Sequence, residues 1–183
     1  EIIYTLKDIL HKRGDTVSLG DEGGFAPQLK SNEEALELLV QAITKAGYTT
    51  EQIKIGIDAA ASNFYENGKY KIKIDGTYQT VSNVEIIEWY KQLVQKYPIM
   101  LIEDGLAEDD WEGFVLMTKS LGNKIKVVGD DLLVTNIERI KTAITKQAVN
   151  SVLIKLNQIG TVTETLEAIQ LTKEQGWAPF VSH

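Results

Sequence analysis

Four apolar runs recur at a nearly constant interval, and that spacing leaves few folds open. Ile99 to Glu103, Ile125 to Gly129, Val152 to Lys155 and the terminal run from Ala178 begin about 26 residues apart. A segment of helical periodicity fills each gap: Asp110 to Leu121, Thr135 to Gln147 and Thr161 to Gln175. Continuous apolar runs are the mark of strands buried on both faces. A helix in every gap makes those strands parallel, because it carries the chain back to the end where the next strand starts.

The same reading extends upstream. Ile2, Ile3, Leu6, Ile9 and Leu10 fall at intervals of three and four, which predicts a helix running from the first residues. Ser31 with Glu34, and Ser82 with Glu85, are capping boxes that open further helices, the first running to Gly47. Thr135 with Glu138 and Thr161 with Glu164 repeat the pattern. Ile53 to Asp58 reads as a strand. Asn67-Gly68 between aromatic flanks, and Asp75-Gly76 after the alternating Tyr70, Ile72 and Ile74, predict a small β-hairpin insertion near residues 64–80.

Parallel βαβ units build either a doubly wound sheet or a (β/α)8 barrel. No G-x-G-x-x-G fingerprint follows a strand, which counts against the dinucleotide-binding form of the first. The barrel requires polar residues at one strand tip after another, and they are there. The expectation is an α/β chain forming an incomplete (β/α)8 TIM-like barrel of about five or six units, with residues 1–183 as one partial domain. The helical start at Glu1 and the strand tip at His183 read as a segment of a longer protein.

Composition removes several function classes. The chain has 43% hydrophobic and 25% charged residues, a globular balance that excludes disorder. A net charge of −7 argues against a duplex nucleic-acid binder. With no cysteine, a disulfide framework, a thiolate metal site and a cysteine nucleophile are impossible, and a reducing cytoplasm is the expected location. The longest apolar runs fall far short of a membrane span.

The tips carry the candidate chemistry. Asp58, Glu103 and Asp130 end three strands, Lys155 ends the next, and Ser182-His183 ends the last. Three carboxylates at one mouth repel strongly unless a cation compensates them, and an all-oxygen set suits octahedral Mg2+. Lys155 has three readings: a salt-bridge partner for Asp130 or Asp131, a general base, or a Schiff-base nucleophile of a lyase acting on carbonyl substrates. The loop Gly20-Asp21-Glu22-Gly23-Gly24-Phe25-Ala26-Pro27 encloses an acidic pair in glycines, and by composition alone it is a plain turn. His11 falls on the polar side of the first helix, and Trp89 and Trp111 fit packing positions.

That loop, however, resembles the glycine-acid loop of the enolase family. So do Ile102-Glu103-Asp104-Gly105-Leu106 with Glu108-Asp109-Asp110-Trp111, Val128-Gly129-Asp130-Asp131-Leu132 with Val134-Thr135-Asn136, and Leu153-Ile154-Lys155-Leu156-Asn157-Gln158-Ile159-Gly160. The blocks occur in family order and span essentially the whole chain, and Gly105-Leu106 after the acidic pair leans toward the bacterial type. The resemblance implies a lyase of glycolysis that interconverts 2-phosphoglycerate and phosphoenolpyruvate. It implies Asp58, Glu103 and Asp130 as ligands of Mg2+, with Glu103 and Asp130 also close to substrate. Lys155 matches the base that takes the proton next to the carboxylate, Glu22 the acid that helps the hydroxide leave, and His183 a histidine near the phosphate.

The resemblance also bounds the expectation. The family's Ser-Glu-Phe appears here as Ser62-Asn63-Phe64, one carboxylate fewer. The Arg-Ser pair that follows the family's Ser-His motif, the last-strand lysine, the mobile serine loop, the N-terminal domain and the first and last barrel strands lie outside this sequence. These residues alone are therefore expected to give little turnover. Family analogy adds a homodimer or octamer, a possible surface role binding plasminogen, and membership of an RNA-degrading assembly in some bacteria.

Overall fold

Helix α1 (Ile2–Arg13) and helix α2 (Asn32–Lys45) open the chain and pack through Ile9, Leu10, Leu38 and Ala42 in a computed structural model that describes residues 1–20, 23–74 and 76–183. Strand β1 (Ile55–Asp58) leads through a 3-10 turn (Ala61–Phe64) into β2 (Tyr65–Glu66), β3 (Lys69–Ile74) and β4 (Thr77–Val81), a small antiparallel sheet. Alternation then sets in: α3 (Asn83–Lys96), β5 (Ile99–Glu103), α4 (Trp111–Leu121), β6 (Lys126–Gly129) and α5 (Ile137–Lys146). The chain continues through β7 (Ser151–Ile154), the single-turn α6 (Leu156–Ile159), α7 (Val162–Glu174) and β8 (Ala178–Val181).

The five parallel strands lie in the order β1-β5-β6-β7-β8, which is also their order along the chain. A doubly wound sheet reverses direction at a switch point; a barrel keeps turning one way, as here. Ile102, Val127, Val152 and Ile154 are wholly buried, and Phe114, Met117, Ile140, Ala143 and Ala168 of the crossover helices cover them. Complete burial of each large aliphatic or aromatic chain contributes about 1.5–3 kcal/mol. The apolar runs are thus the sheet, and the helical stripes are its cover.

The register carries every strand to the same end. Asp58 lies beside Glu103, Glu103 beside Val128, Val128 beside Ser151, and Ile154 beside Val181. The residues that follow each strand therefore share one face of the sheet. The hairpin predicted at Asn67-Gly68 forms, with both residues at positive φ (52° and 79°), the type I′ geometry that matches strand twist. Asp75 of the second turn, like Asp21 and Glu22, is outside the described residues.

Three local expectations are corrected. Thr135 does not cap α5: Asn136 does, accepting from the N–H groups of Glu138 and Arg139 at 3.0 and 3.1 Å, while Thr135 is fully buried one residue earlier. The Ser31 box is one-sided. Ser31 accepts from the Glu34 N–H, but the Glu34 carboxylate is drawn to Arg13 and to the Lys30 N–H instead. At Thr161 the cap again accepts from the Glu164 N–H, yet the Glu164 carboxylate takes the Thr161 hydroxyl rather than its backbone. Only the Ser82–Glu85 box closes in both directions among the described residues.

Candidate active site

Successive strand ends deliver the candidate side chains, and the turns behind the ends fix where they stand. Glu103 is the last residue of β5. After it the chain turns sharply, with Asp104 in the left-handed region at φ 41°. That turn sends the Asp104 side chain toward the next strand end, where its two oxygens accept the backbone N–H groups of Asp130 at 3.0 Å and Asp131 at 2.7 Å. The Asp104 N–H in turn donates to the Val128 carbonyl at 3.0 Å. Asp104 therefore ties the end of β5 to the end of β6.

Lys155 follows β7 directly, as Asp130 follows β6 and Ser182 follows β8, rather than ending the strand as expected, and it serves as the residue before α6. Its Nζ donates to Asp130 Oδ2 at 2.5 Å, with both side chains largely buried. The other Asp130 oxygen accepts from Gln158 Nε2 at 2.8 Å. Asp58 ends the edge strand β1; it is exposed, and its carboxylate accepts the Ala60 N–H at 3.0 Å. The loops beyond β1 and β5 are latched to each other. Ala59 N–H donates to the Glu103 carbonyl and Ala61 N–H to the Asp104 carbonyl, both at 3.0 Å, and Glu108 N–H reaches Ser62 Oγ at 3.0 Å.

The electrostatics are those of a site short of positive charge. Burial, reinforced by Asp58, Asp130 and Asp104, pushes Glu103 up to about 7, with Lys155 only partly opposing it. Burial likewise raises Asp104 to about 6, although two backbone N–H groups favour its charged form. Asp58 is raised as well, because protein on one side withdraws water and Asp130 and Asp131 repel it, against the Ala60 N–H. For Lys155, desolvation pulls the ammonium down, but the bond to Asp130 and the charges of Asp130, Glu103 and Asp131 outweigh it and hold it above its ordinary value. Of the three readings of Lys155, the protein residues alone give the first: the amine is the ion-pair partner of Asp130.

The donor set fits a hard divalent cation. It is all oxygen and crowded, and burial together with neighbouring charge holds Asp58, Glu103 and Asp104 above the ordinary carboxylate range. Among the described residues, the acidic group whose ligand oxygens all lie within 4.8 Å of one another is Asp104, Asp130 and Asp131. Asp104 in that group has its oxygens engaged by backbone N–H groups, and Asp130 has its oxygens on the side chains of Lys155 and Gln158, so an ion held there would share the Asp130 oxygens with those donors. Asp58 and Glu103 approach from the neighbouring strand ends as the adjacent, mutually repelling charges.

Of the residues singled out in the sequence, Asp58, Glu103, Asp130 and Lys155 stand at one end of the sheet. The Ser182 N–H donates to the Ile154 carbonyl at 2.9 Å, which prolongs the β7–β8 ladder and leaves His183 at the same end, exposed. Glu22 lies outside the described residues. Sequence reasoning passed over Asp104 and Gln158 as individuals and took Thr135 only as a helix cap. Gln158 had one usable signal: it falls three residues after Lys155, one turn along, and so points back over it. A cavity of about 770 Å3 lies elsewhere, between α2, β1 and the antiparallel sheet, with Asp58 at its border and an otherwise mostly apolar lining. Its walls lack Glu103, Asp130 and Lys155. A family model described as the enolase C-terminal TIM barrel domain matches residues 1–183.

Proposed function

The chain belongs to the enolase family through its C-terminal TIM barrel domain, and on that premise we propose that its strand-end carboxylates hold Mg2+ for the dehydration of 2-phosphoglycerate to phosphoenolpyruvate. The observation that carries this reading is Lys155 Nζ at 2.5 Å from Asp130, amid carboxylates whose charge it only partly offsets. Asp58, Glu103 and Asp130 would hold the ion. Bound there, Mg2+ supplies the positive charge that stabilises the doubly charged carboxylate left when the adjacent carbon loses its proton.

The protein residues then divide the work. Lys155, positioned by Asp130, takes the proton from the carbon next to the substrate carboxylate: the C–H bond breaks and an N–H bond forms. Glu22 gives its proton to the departing hydroxyl, so that the C–O bond breaks and water leaves. His183, at the same end of the sheet, faces the substrate phosphate in this reading. Cytoplasmic residence and assembly into homodimers or octamers are proposed with it, on the family resemblance.

The Schiff-base alternative requires the same neutral Lys155 but leaves the carboxylates without a task. The cation reading uses them and also supplies the positive charge that displaces the Lys155 proton. Exchange of the substrate C2 proton in deuterated buffer, followed by NMR, tests the base and the cation without requiring the hydroxyl to leave. Slow exchange that needs Mg2+ and disappears in Lys155→Ala is expected. Equal exchange in parent and variant, or none in either, overturns the proposal for this chain. Borohydride trapping of Lys155 with a carbonyl substrate would replace it with the lyase reading.

A further inference from the structure

Lys155 and Asp130 are joined by a second route that the scheme above does not use. Gln158 Nε2 donates to Asp130 Oδ1 at 2.8 Å, and Gln158 Oε1 accepts from the Thr135 hydroxyl at 2.8 Å. The same hydroxyl oxygen accepts the Lys155 backbone N–H at 2.9 Å. With Lys155 Nζ on Asp130 Oδ2, the four residues close a ring.

Every bond in that ring has a fixed direction. An ionised carboxylate only accepts, so Gln158 must present its NH2 to Asp130 and its carbonyl to Thr135. Thr135 has a single hydroxyl hydrogen and already accepts from an N–H, so that hydrogen goes to Gln158. Reversing any member would leave two donors or two acceptors face to face in a largely buried place. Asp130 thus has both oxygens engaged and cannot turn about its side-chain bond.

The backbone is bent to make this possible. Val134 and Thr135 are consecutive β-branched residues at positive φ, 43° and 55°. That conformation is strained for such side chains and persists only where surrounding contacts enforce it. Here it turns the Thr135 hydroxyl, wholly buried, toward the end of β7 instead of toward the start of α5.

We propose that Thr135 and Gln158 are positioning residues that lock the Asp130 carboxylate in its cation-binding orientation and set Lys155 against it. This rests on the reading of the site as a divalent-cation site. Neither residue touches a reacting atom; both act through Asp130. Outer partners of this kind typically change metal affinity by about 10–100-fold.

The test uses Mn2+ as the probe, its free fraction read by electron paramagnetic resonance, with far-ultraviolet circular dichroism to verify folding. Thr135→Val, which keeps shape but loses the hydroxyl, and Gln158→Leu are each expected to weaken Mn2+ binding at least tenfold. Thr135→Ser, which restores the hydroxyl, is expected to bind within about twofold of the parent, and the double variant to lose no more than the weaker single variant, because both changes cut one ring. If Thr135→Val does not fold, Gln158→Leu decides alone, since that residue is only partly buried. Parent-like Mn2+ affinity in folded Gln158→Leu overturns the positioning role while leaving the cation site standing. A parent that binds no Mn2+ overturns both.

Discussion

The Asp104 carboxylate accepts the backbone N–H of Asp131 at 2.7 Å, so that the acid after one strand holds the chain after the next. With its second bond, to the Asp130 N–H, this makes Asp104 the brace of the site. Asp104→Asn keeps the shape but sets an NH2 group against one of those two N–H donors. The expected cost is about 1–3 kcal/mol, a fall of several degrees in Tm for a chain of this size. Thermal unfolding at pH 7.5 measures it; a Tm equal to the parent's would show that Asp104 braces nothing.

Tyr70 links the antiparallel sheet to the same region. Its hydroxyl donates to Asp110 Oδ2 at 2.8 Å and accepts from the Ala107 N–H at 3.0 Å, and the ring is fully buried. Tyr70→Phe leaves the Ala107 N–H buried without a partner, at a cost of about 1–3 kcal/mol. Hydrogen exchange at the Ala107 amide is expected to accelerate more than at amides of α3. Uniform acceleration across the chain would mean that the loop after β5 is not held by this bond in particular.

Stability should fall as pH rises from the mildly acid range to neutrality. Glu103 at about 7 and Asp104 at about 6 bind protons more tightly folded than unfolded. Between about pH 4.5 and pH 7 the folded chain therefore carries more protons, and the slope of unfolding free energy against pH is negative. Glu33, Glu34 and Glu85 are lowered, so their stability is present above the ordinary carboxylate range and is lost only below it, outside this window. Urea midpoints at pH 5 and pH 7.5 without divalent ions are expected to decrease in that order. An increase would contradict the crowding described at the strand ends.

Much of this was legible because strands and their tips announce themselves chemically. Ile99 to Glu103 reads directly as β5, since four apolar residues closed by an acid have few alternatives in a parallel sheet. Asp130 and Lys155 as partners were one of the open readings for the same reason. What failed to read was what tertiary contacts decide. Thr135 looks like a cap by residue type, and nothing local reveals that Val134 and Thr135 take positive φ, against the preference of β-branched residues. The Ser31 box opened because Arg13, far back in sequence, claims Glu34. Gln158 sits on a helix of four residues, too short to show a period. Whether Glu22 meets the site is beyond the described residues.

The central claim is that the strand-end carboxylates form a cation site and repel one another without the ion. Thermal unfolding of the parent and of Glu103→Gln at pH 7.5, with and without Mg2+, tests it most directly. Without Mg2+, Glu103→Gln should be the more stable protein, because it removes a crowded charge. With Mg2+, the parent Tm should rise with ion concentration as binding to the folded state requires, while Glu103→Gln should respond little. A parent Tm indifferent to Mg2+, or a Glu103→Gln chain less stable than the parent in its absence, would contradict the account.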